Sequence, residues 1–199
     1  MLKIYAENLG KKFNNEWIFR NFSFEFSQGT ATAITGNNGS GKSTLLQVIS
    51  GILPASEGKI FYEWHGKKIL PDNFYQYLAW ASPYMELIEE LTLTEMILFH
   101  KQMKGLNTPN LIEILRLEKS RNKYIKNFSS GMKQRLKLGL AIYSPVPALL
   151  LDEPTTNLDQ ENIAWYQAEM AKILSEKLVI VASNQAEEYH FCQARINLQ

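Results

Sequence analysis

Apolar and polar positions change rhythm repeatedly along this chain. Phe22, Phe24 and Phe26 alternate with Asn21, Ser23 and Glu25, the period of two that marks a half-buried strand, and Gly29 ends it. The run TATAIT (30–35) predicts a second, more buried strand. Residues 42–52 read as a helix stopped by GILP (51–54). GKIFYEWHGKKI (58–69) predicts a hairpin around Gly66, and YLAWAS (77–82) another strand. The pattern then turns helical. Thr92 and Glu95 have the spacing of a capping box, and Met96, Ile97, Phe99, His100 and Met103 follow at helical intervals. LIEILRL (111–117), after Pro109, predicts a short amphipathic helix, and from Ser130 a third helix carries Leu136, Leu140 and Tyr143 on one side. PALLLDEP (147–154) and KLVIVAS (177–183) are continuous apolar runs of the kind found in buried parallel strands, separated by a helix over about 160–175. The chain therefore predicts one α/β domain over residues 1–199, with a mainly parallel buried sheet, an antiparallel β subdomain towards the N-terminus and a helical insert over about 84–143.

Composition narrows the function classes. With 45% hydrophobic and 21% charged residues the chain is an ordinary globular sequence, and a net charge of +1 gives no broad field for nucleic acid or an anionic membrane. Cys192 is the single cysteine, so no intrachain disulfide or cysteine metal cluster is expected, and a reducing compartment fits best. No apolar run reaches the roughly 18 residues of a spanning helix, and the first residues lack the pattern of an export leader. Work at a membrane would go through a partner.

The chemistry starts at GNNGSGKST (36–44). Gly36, Gly41, Lys42 and Ser43 fit the phosphate-binding loop pattern G-x-x-x-x-G-K-[ST] without mismatch, between a strand and a helix. Glycines allow positive φ and close backbone approach, so the N–H groups of Gly36, Asn37, Asn38, Gly39, Ser40, Gly41 and Thr44 can face phosphate oxygens, and the helix N-terminus adds its positive dipole end. Lys42 is placed to reach the outer phosphates of ATP, and the Ser43 hydroxyl to ligate Mg²⁺. Asp152, ending an apolar strand, is the expected second Mg²⁺ ligand, and Glu153 sits where a general base for an attacking water belongs.

LLLDEPTTNLD (149–159) and FSSGMKQR (128–135), both downstream of GNNGSGKST, resemble the ATP-binding-cassette (ABC) ATPase family, in order and spacing, across almost the whole chain. The resemblance implies an ABC ATPase fold that binds and hydrolyses ATP for a separate membrane permease, peripheral on the cytoplasmic face. It also implies a head-to-tail pair of cassettes, as homodimer or heterodimer, in which the segment around Ser129 and Gly131 closes over ATP held by the opposite subunit. That segment is commonly L-S-G-G-Q in the family; here Phe128, Ser130 and Met132 depart from it. Asp159 matches the position that links the two sites, and Phe13 the aromatic that stacks on adenine, with Trp17 as a rival. The short length is also similar to heme-exporter-type cassettes.

Two positions depart from the family in ways that bear on rate. A glutamine usually follows the strand before the helical insert; Pro83 stands there, and Gln76 lies before that strand. A histidine usually ends the strand at 178–183 and contacts the γ-phosphate; Asn184 takes its place, able to donate but shorter and never cationic. Slowed hydrolysis is the expectation. Met85, Leu87, Ile88 and Leu91 are expected to line an apolar groove beside Glu86, Glu89 and Glu90 for a permease helix, whereas Lys133, Arg135 and Lys137 read as a solvated face. Two alternatives remain open: a soluble cassette ATPase acting on ribosomes or DNA, and a module in which ATP only clamps a dimer.

Overall fold

The computed structural model describes residues 1–198 and divides into two sheets with helices packed between and around them. The antiparallel sheet has the order β2-β1-β4-β5, built from β1 (Leu2–Phe13), β2 (Glu16–Ser27), β4 (Glu57–Trp64) and β5 (Lys67–Ile69). The parallel sheet runs β6-β7-β8-β3-β9, from β3 (Ala31–Thr35), β6 (Leu78–Ala81), β7 (Ala148–Asp152), β8 (Leu178–Ala182) and β9 (Ala194–Asn197). The helices are α1 (Lys42–Ile49), α2 (Leu93–Lys104), α3 (Leu111–Ile114), α4 (Ser130–Ile142), α5 (Gln160–Ile173) and α6 (Ala186–Tyr189).

Why the β7 and β8 runs are apolar without alternation becomes plain from their two faces. Leu149, Leu151, Val179 and Val181 join one buried cluster with α4, α5 and the helical insert. Ala148, Leu150, Leu178 and Ile180 join a second with α1 and the antiparallel sheet. Successive side chains point to opposite faces, so a strand buried on both must be apolar at every position. The insert is seated on the sheet rather than held apart from it: Leu93, Met96, Leu106 and Leu111 share the first cluster.

Local chemistry sets several element ends. The Thr92 hydroxyl accepts from Glu95 N at 3.3 Å, while the Glu95 carboxylate accepts from Thr92 N at 2.7 Å, completing the expected capping box. The β4–β5 hairpin turns through His65 (φ 50°) and Gly66 (φ 77°). Helix α1 stops at Ile49, earlier than expected, because Ser50 caps it and Gly51 turns left-handed at φ 79°. The Tyr62 hydroxyl, fully buried, donates to the Ile49 carbonyl at 3.0 Å and satisfies one of the helix's orphan acceptors. Only Leu111–Ile114 of the predicted 111–117 helix forms, since Arg116 takes φ 54°. Lys177, buried, donates to the carbonyls of Ile142 (2.9 Å) and Ser144 (2.5 Å) and so closes the C-terminus of α4.

Candidate functional site: a phosphate loop and the strand ends beside it

Strands β7, β8 and β3 are parallel neighbours, so their carboxyl ends emerge side by side. This is the edge where open α/β sheets bind ligands. It brings together Asp152 from the end of β7, Asn184 just after β8, and the loop 36–41 that leads from β3 into α1.

The loop needs its glycines for separate reasons. At Gly36 (φ 152°) a Cβ would meet the Leu198 carbonyl oxygen at 2.4 Å; at Gly41 (φ 93°) it would meet the Ile18 side chain at 2.4 Å. Gly39 (φ 83°) has no atom within 4 Å of that position, so its backbone angle alone asks for glycine. Lys42, nearly buried, donates from Nζ to the carbonyls of Gly36 and Asn37, both at 3.0 Å, which draws the ammonium over the first turn of the loop. Asn37, Asn38 and Gly39 are exposed, while Ser40 is half-buried and its Oγ is a buried atom with no hydrogen-bond partner. Thr44 stands in the first turn of α1, whose leading N–H groups have no acceptor inside the helix.

Ser43 Oγ donates to Asp152 Oδ1 at 3.0 Å. Burial pushes the Asp152 carboxyl up to about 6, opposed by the Ser43 bond and reinforced by the Glu153 charge. Two hard oxygens, one on a carboxyl whose ionisation the fold resists, are the donor set a divalent cation with phosphate ligands would complete. Glu153 follows in a left-handed turn (φ 43°), with its N–H donating to the Ala182 carbonyl at 2.9 Å, which locks the turn to β8. Asn184 Nδ2 donates to Asn38 Oδ1 at 2.9 Å, a direct link from the end of β8 to the loop. Sequence spacing gave no hint of that link.

Ser129 caps α4, its Oγ accepting from Met132 N at 3.2 Å, and Asp159 caps α5, accepting from Asn162 N at 2.9 Å. A Cβ on Gly131 would lie 3.1 Å from the Asn157 carbonyl oxygen, so the two segments pack against each other. No hydrogen bond among the described residues joins Ser129, Gly131 or Asp159 to residues 36–44. Gln134, buried and unassigned by the sequence reading, donates from Nε2 to the Pro154 carbonyl at 2.7 Å and ties α4 to the Glu153 turn.

Several surface expectations change. Lys133, Arg135 and Lys137 are not a solvated face: Lys133 pairs with Glu89, Arg135 donates to Asn162 Oδ1 at 2.7 Å, and Lys137 donates to the Pro83 carbonyl at 2.9 Å. Of the four residues expected to line an apolar groove, Met85 and Leu87 do line a depression with Glu86, Glu89 and Glu90, whereas Leu91 packs on the core and Ile88 lies exposed outside it. A second cleft, of about 590 Å³, runs from Ser43 and Asp152 past Trp80 and His100 to Tyr84 and Met85. Gln76 is exposed at the opposite end of β6 from Pro83. Phe13, at the end of β1, is 47% exposed, and Trp17 is 36% exposed.

The sequence profile described as ABC transporter matches residues 19–156. The cytochrome c biogenesis ATP-binding export protein CcmA of Chelativorans sp. (strain BNC1) is 30% identical over 187 residues, 92% of this chain and 91% of that protein. The mouse ATP-binding cassette sub-family A member 17 is 32% identical over 149 residues, 70% of this chain, and the chain spans only 8% of that protein's length. Among solved structures, an ATP-binding cassette dimer in a post-hydrolysis state bound to ADP and Pi superposes with a TM-score of 0.81 at 21% identity, over 98% of this chain and 94% of that one. That last likeness is one of fold.

Proposed function

The chain belongs to the ABC transporter family of ATP-binding cassettes, and on that premise we propose that it is the ATP-hydrolysing subunit of a transporter, paired with a second cassette and seated on a separate membrane permease. One observation carries the reading: a single cleft joins the Ser43–Asp152 pair to an apolar exterior. Among the residues that line it, Tyr84 is 85% exposed, with Ile52, Tyr75 and Met85 also exposed. Such a patch beside a ligand site marks a protein interface. No helix among the described residues is long and apolar enough to cross a membrane, so the spanning part of a transporter is a different segment or chain.

The geometry supports the following division of labour. The loop 36–41 and the α1 N-terminus bind the phosphates, with Lys42 as their cation. Ser43 and Asp152 would hold Mg²⁺, which when bound would supply charge neutralisation at the outer phosphates. Glu153 takes the proton of the water that attacks the γ-phosphorus, and Asn184 donates to the γ-phosphate from the end of β8. Ser129, Gly131 and Asp159 face the partner cassette and complete its site. Proline at 83 leaves no side-chain donor or acceptor beside the water and Asn184 replaces a longer donor, so hydrolysis is slow relative to binding. Residues 84–143 act as the helical subdomain that carries the permease contact.

The test uses the tagged chain purified from gently solubilised membranes. A multi-spanning protein recovered at matching stoichiometry with wild type, and lost with a Tyr84→Asp, Met85→Asp pair that still binds ATP, is the expected result. Recovery of ribosomal or DNA-bound proteins instead, indifferent to the pair, would move the function to a soluble complex.

A further inference from the structure

Glu188 is the most deeply buried carboxylate of the described residues, at 0% exposure, and nothing in the reading above employs it. It sits in α6, four residues beyond Asn184. Its Oε1 accepts two hydrogen bonds from one residue, Thr155, from the backbone N–H at 2.7 Å and the hydroxyl at 2.5 Å. Its backbone carbonyl accepts the Tyr166 hydroxyl of α5 at 2.9 Å, and its N–H donates to the Gln185 carbonyl at 3.1 Å. Oε2 is buried without a partner, and burial pushes the carboxyl above its ordinary range against the opposing pull of the Ser183 and Thr155 donors.

A buried carboxyl with an orphan oxygen is costly, and a fold keeps it only where the bonds it does make are needed. What it holds is the turn that carries Glu153. Thr155 is two residues on; Thr156 N donates to the Glu153 carbonyl at 3.2 Å and Leu158 N to the Thr155 carbonyl at 2.9 Å, closing that turn upon itself. Glu153 stands at a left-handed φ of 43°, a conformation that a β-carbon-bearing residue adopts only when its surroundings impose it. Three clamps are visible: the bond from Glu153 N to Ala182, the bond from Gln134 to Pro154, and the paired bonds from Thr155 to Glu188. The last of these alone ties the base to the segment that follows Asn184.

We propose that Glu188 is a positioning residue for hydrolysis, coupling the turn that bears Glu153 to the segment that runs from Asn184 into α6, so that the base and the γ-phosphate donor are held in one register. The inference rests on Glu153 acting as the base. It concerns the chemical step and not the phosphate cradle: Glu188 makes no hydrogen bond to residues 36–44, and the Ser43–Asp152 bond does not pass through it.

Steady-state hydrolysis, nucleotide affinity by direct titration and thermal melting are measured on the purified chain for Glu188→Ala, Glu188→Gln, Thr155→Val and Glu153→Gln. Expected is a fall in kcat of at least 10-fold for Glu188→Ala, with ATP affinity within about 3-fold of wild type. Glu188→Gln, whose amide oxygen still accepts both Thr155 bonds, restores most of the loss, and Thr155→Val, which keeps only the N–H donor, lies between. Wild-type kcat in Glu188→Ala overturns the proposal. So does a loss of kcat and affinity in equal proportion, with no rescue by glutamine, because that pattern belongs to a merely structural residue. Should Glu188→Ala fail to fold, Thr155→Val decides on the same kcat-against-affinity split. Undiminished turnover in Glu153→Gln removes the base assignment and this inference with it, whereas a dead Glu153→Gln beside an active Glu188→Ala sinks this inference alone.

Discussion

Two stretches of the same sheet edge are built to different standards. At the ends of β3 and β7, every group a triphosphate and its metal ask for is present and held: Lys42 by two carbonyls, Ser43 by Asp152, and the glycines by contacts that admit nothing larger at positions 36 and 41. At the ends of β6 and β8, the residues are chemically poorer. Pro83 offers only its backbone carbonyl, already taken by Lys137, and Asn184 directs its amide to Asn38. On the proposed function, the first stretch decides whether nucleotide binds and the second how fast it is cleaved. A cassette with a full cradle and a thinned water side is suited to spend long in the bound state. The contrast can be tested from either side.

The largest effect is expected at Asp152. Holding its carboxyl at about 6, above an ordinary 3.8, means that ionising it in the nucleotide-free fold opposes stability by about 3 kcal/mol at most, a net figure in which burial outweighs the Ser43 bond and the attraction of Lys42. The carboxyl is protonated in both folded and unfolded chains well below the unfolded value, so this penalty is absent at about pH 3. It grows as pH rises through the unfolded value and is complete above about 6. Asp152→Asn is therefore expected to raise the melting temperature without Mg-ATP by at most roughly 6–12 °C at pH 7.5 and by nothing near pH 3. The same change is expected to lower turnover by about 10²- to 10³-fold. A variant that melts lower than wild type at pH 7.5 would mean that the carboxylate is stabilising where it stands, and that the full end of the edge is not strained for function.

Next in size is Asn184. If the β8 end is the thinned side, Asn184→His is expected to raise kcat about 10-fold, since one well-placed donor to developing charge is worth about 10² to 10³ and asparagine already supplies part of it. Hydrolysis under single-turnover conditions reports the step directly. An unchanged or lower rate would show that the Asn184–Asn38 bond, rather than contact with phosphate, is what this residue contributes.

How much of this edge is legible in the sequence depends on where the physical constraint lies. The cradle was legible because its requirements are local: glycines at fixed offsets between a strand and a helix. The buried strands β7 and β8 were legible because burial on both faces forces apolar residues at successive positions. Residues 2–13 were not, although they form the strand paired on both sides. Their alternation of Leu2, Ile4 and Ala6 breaks at Asn8, a bulge at φ 49°, after which Leu9, Gly10 and Lys11 are buried in succession. Strand β9 escaped as well, being four residues long at a sheet edge with Arg195 and Asn197 outward. In α2 the helical spacing was legible and the covering was not: Met96 is buried, yet Phe99 and Met103 lie on the surface. Periodicity reports that a face is apolar, not which surface covers it. Glu188 and Gln134 carried no signal, because their partners are 33 and 20 residues away and a lone buried polar residue has no spacing to read.

The smallest effect concerns the far end of the cradle, where adenine is expected. Trp17 is the larger aromatic, but Arg20 Cζ lies 4.5 Å and Lys12 Nζ 5.4 Å from its ring centroid, and a Cβ on Gly10 would meet its ring at 2.8 Å, so its faces are engaged within the antiparallel sheet. Phe13 has only Lys11 Nζ near it, at 5.1 Å, and is the more exposed. Stacking on a base is worth about 1–3 kcal/mol, and at the lower end about 5-fold in affinity. Phe13→Ala is thus expected to raise KM for ATP about 5-fold with kcat within 2-fold, and Trp17→Ala to move KM by less than 2-fold. The split matters more than the size: a ring that holds adenine equally before and during cleavage adds uniform binding, which changes KM and leaves kcat alone. The reverse ranking would assign adenine to Trp17. A fall in kcat for either would mean that the antiparallel sheet reaches the chemical step, and that binding and cleavage are not divided along this edge.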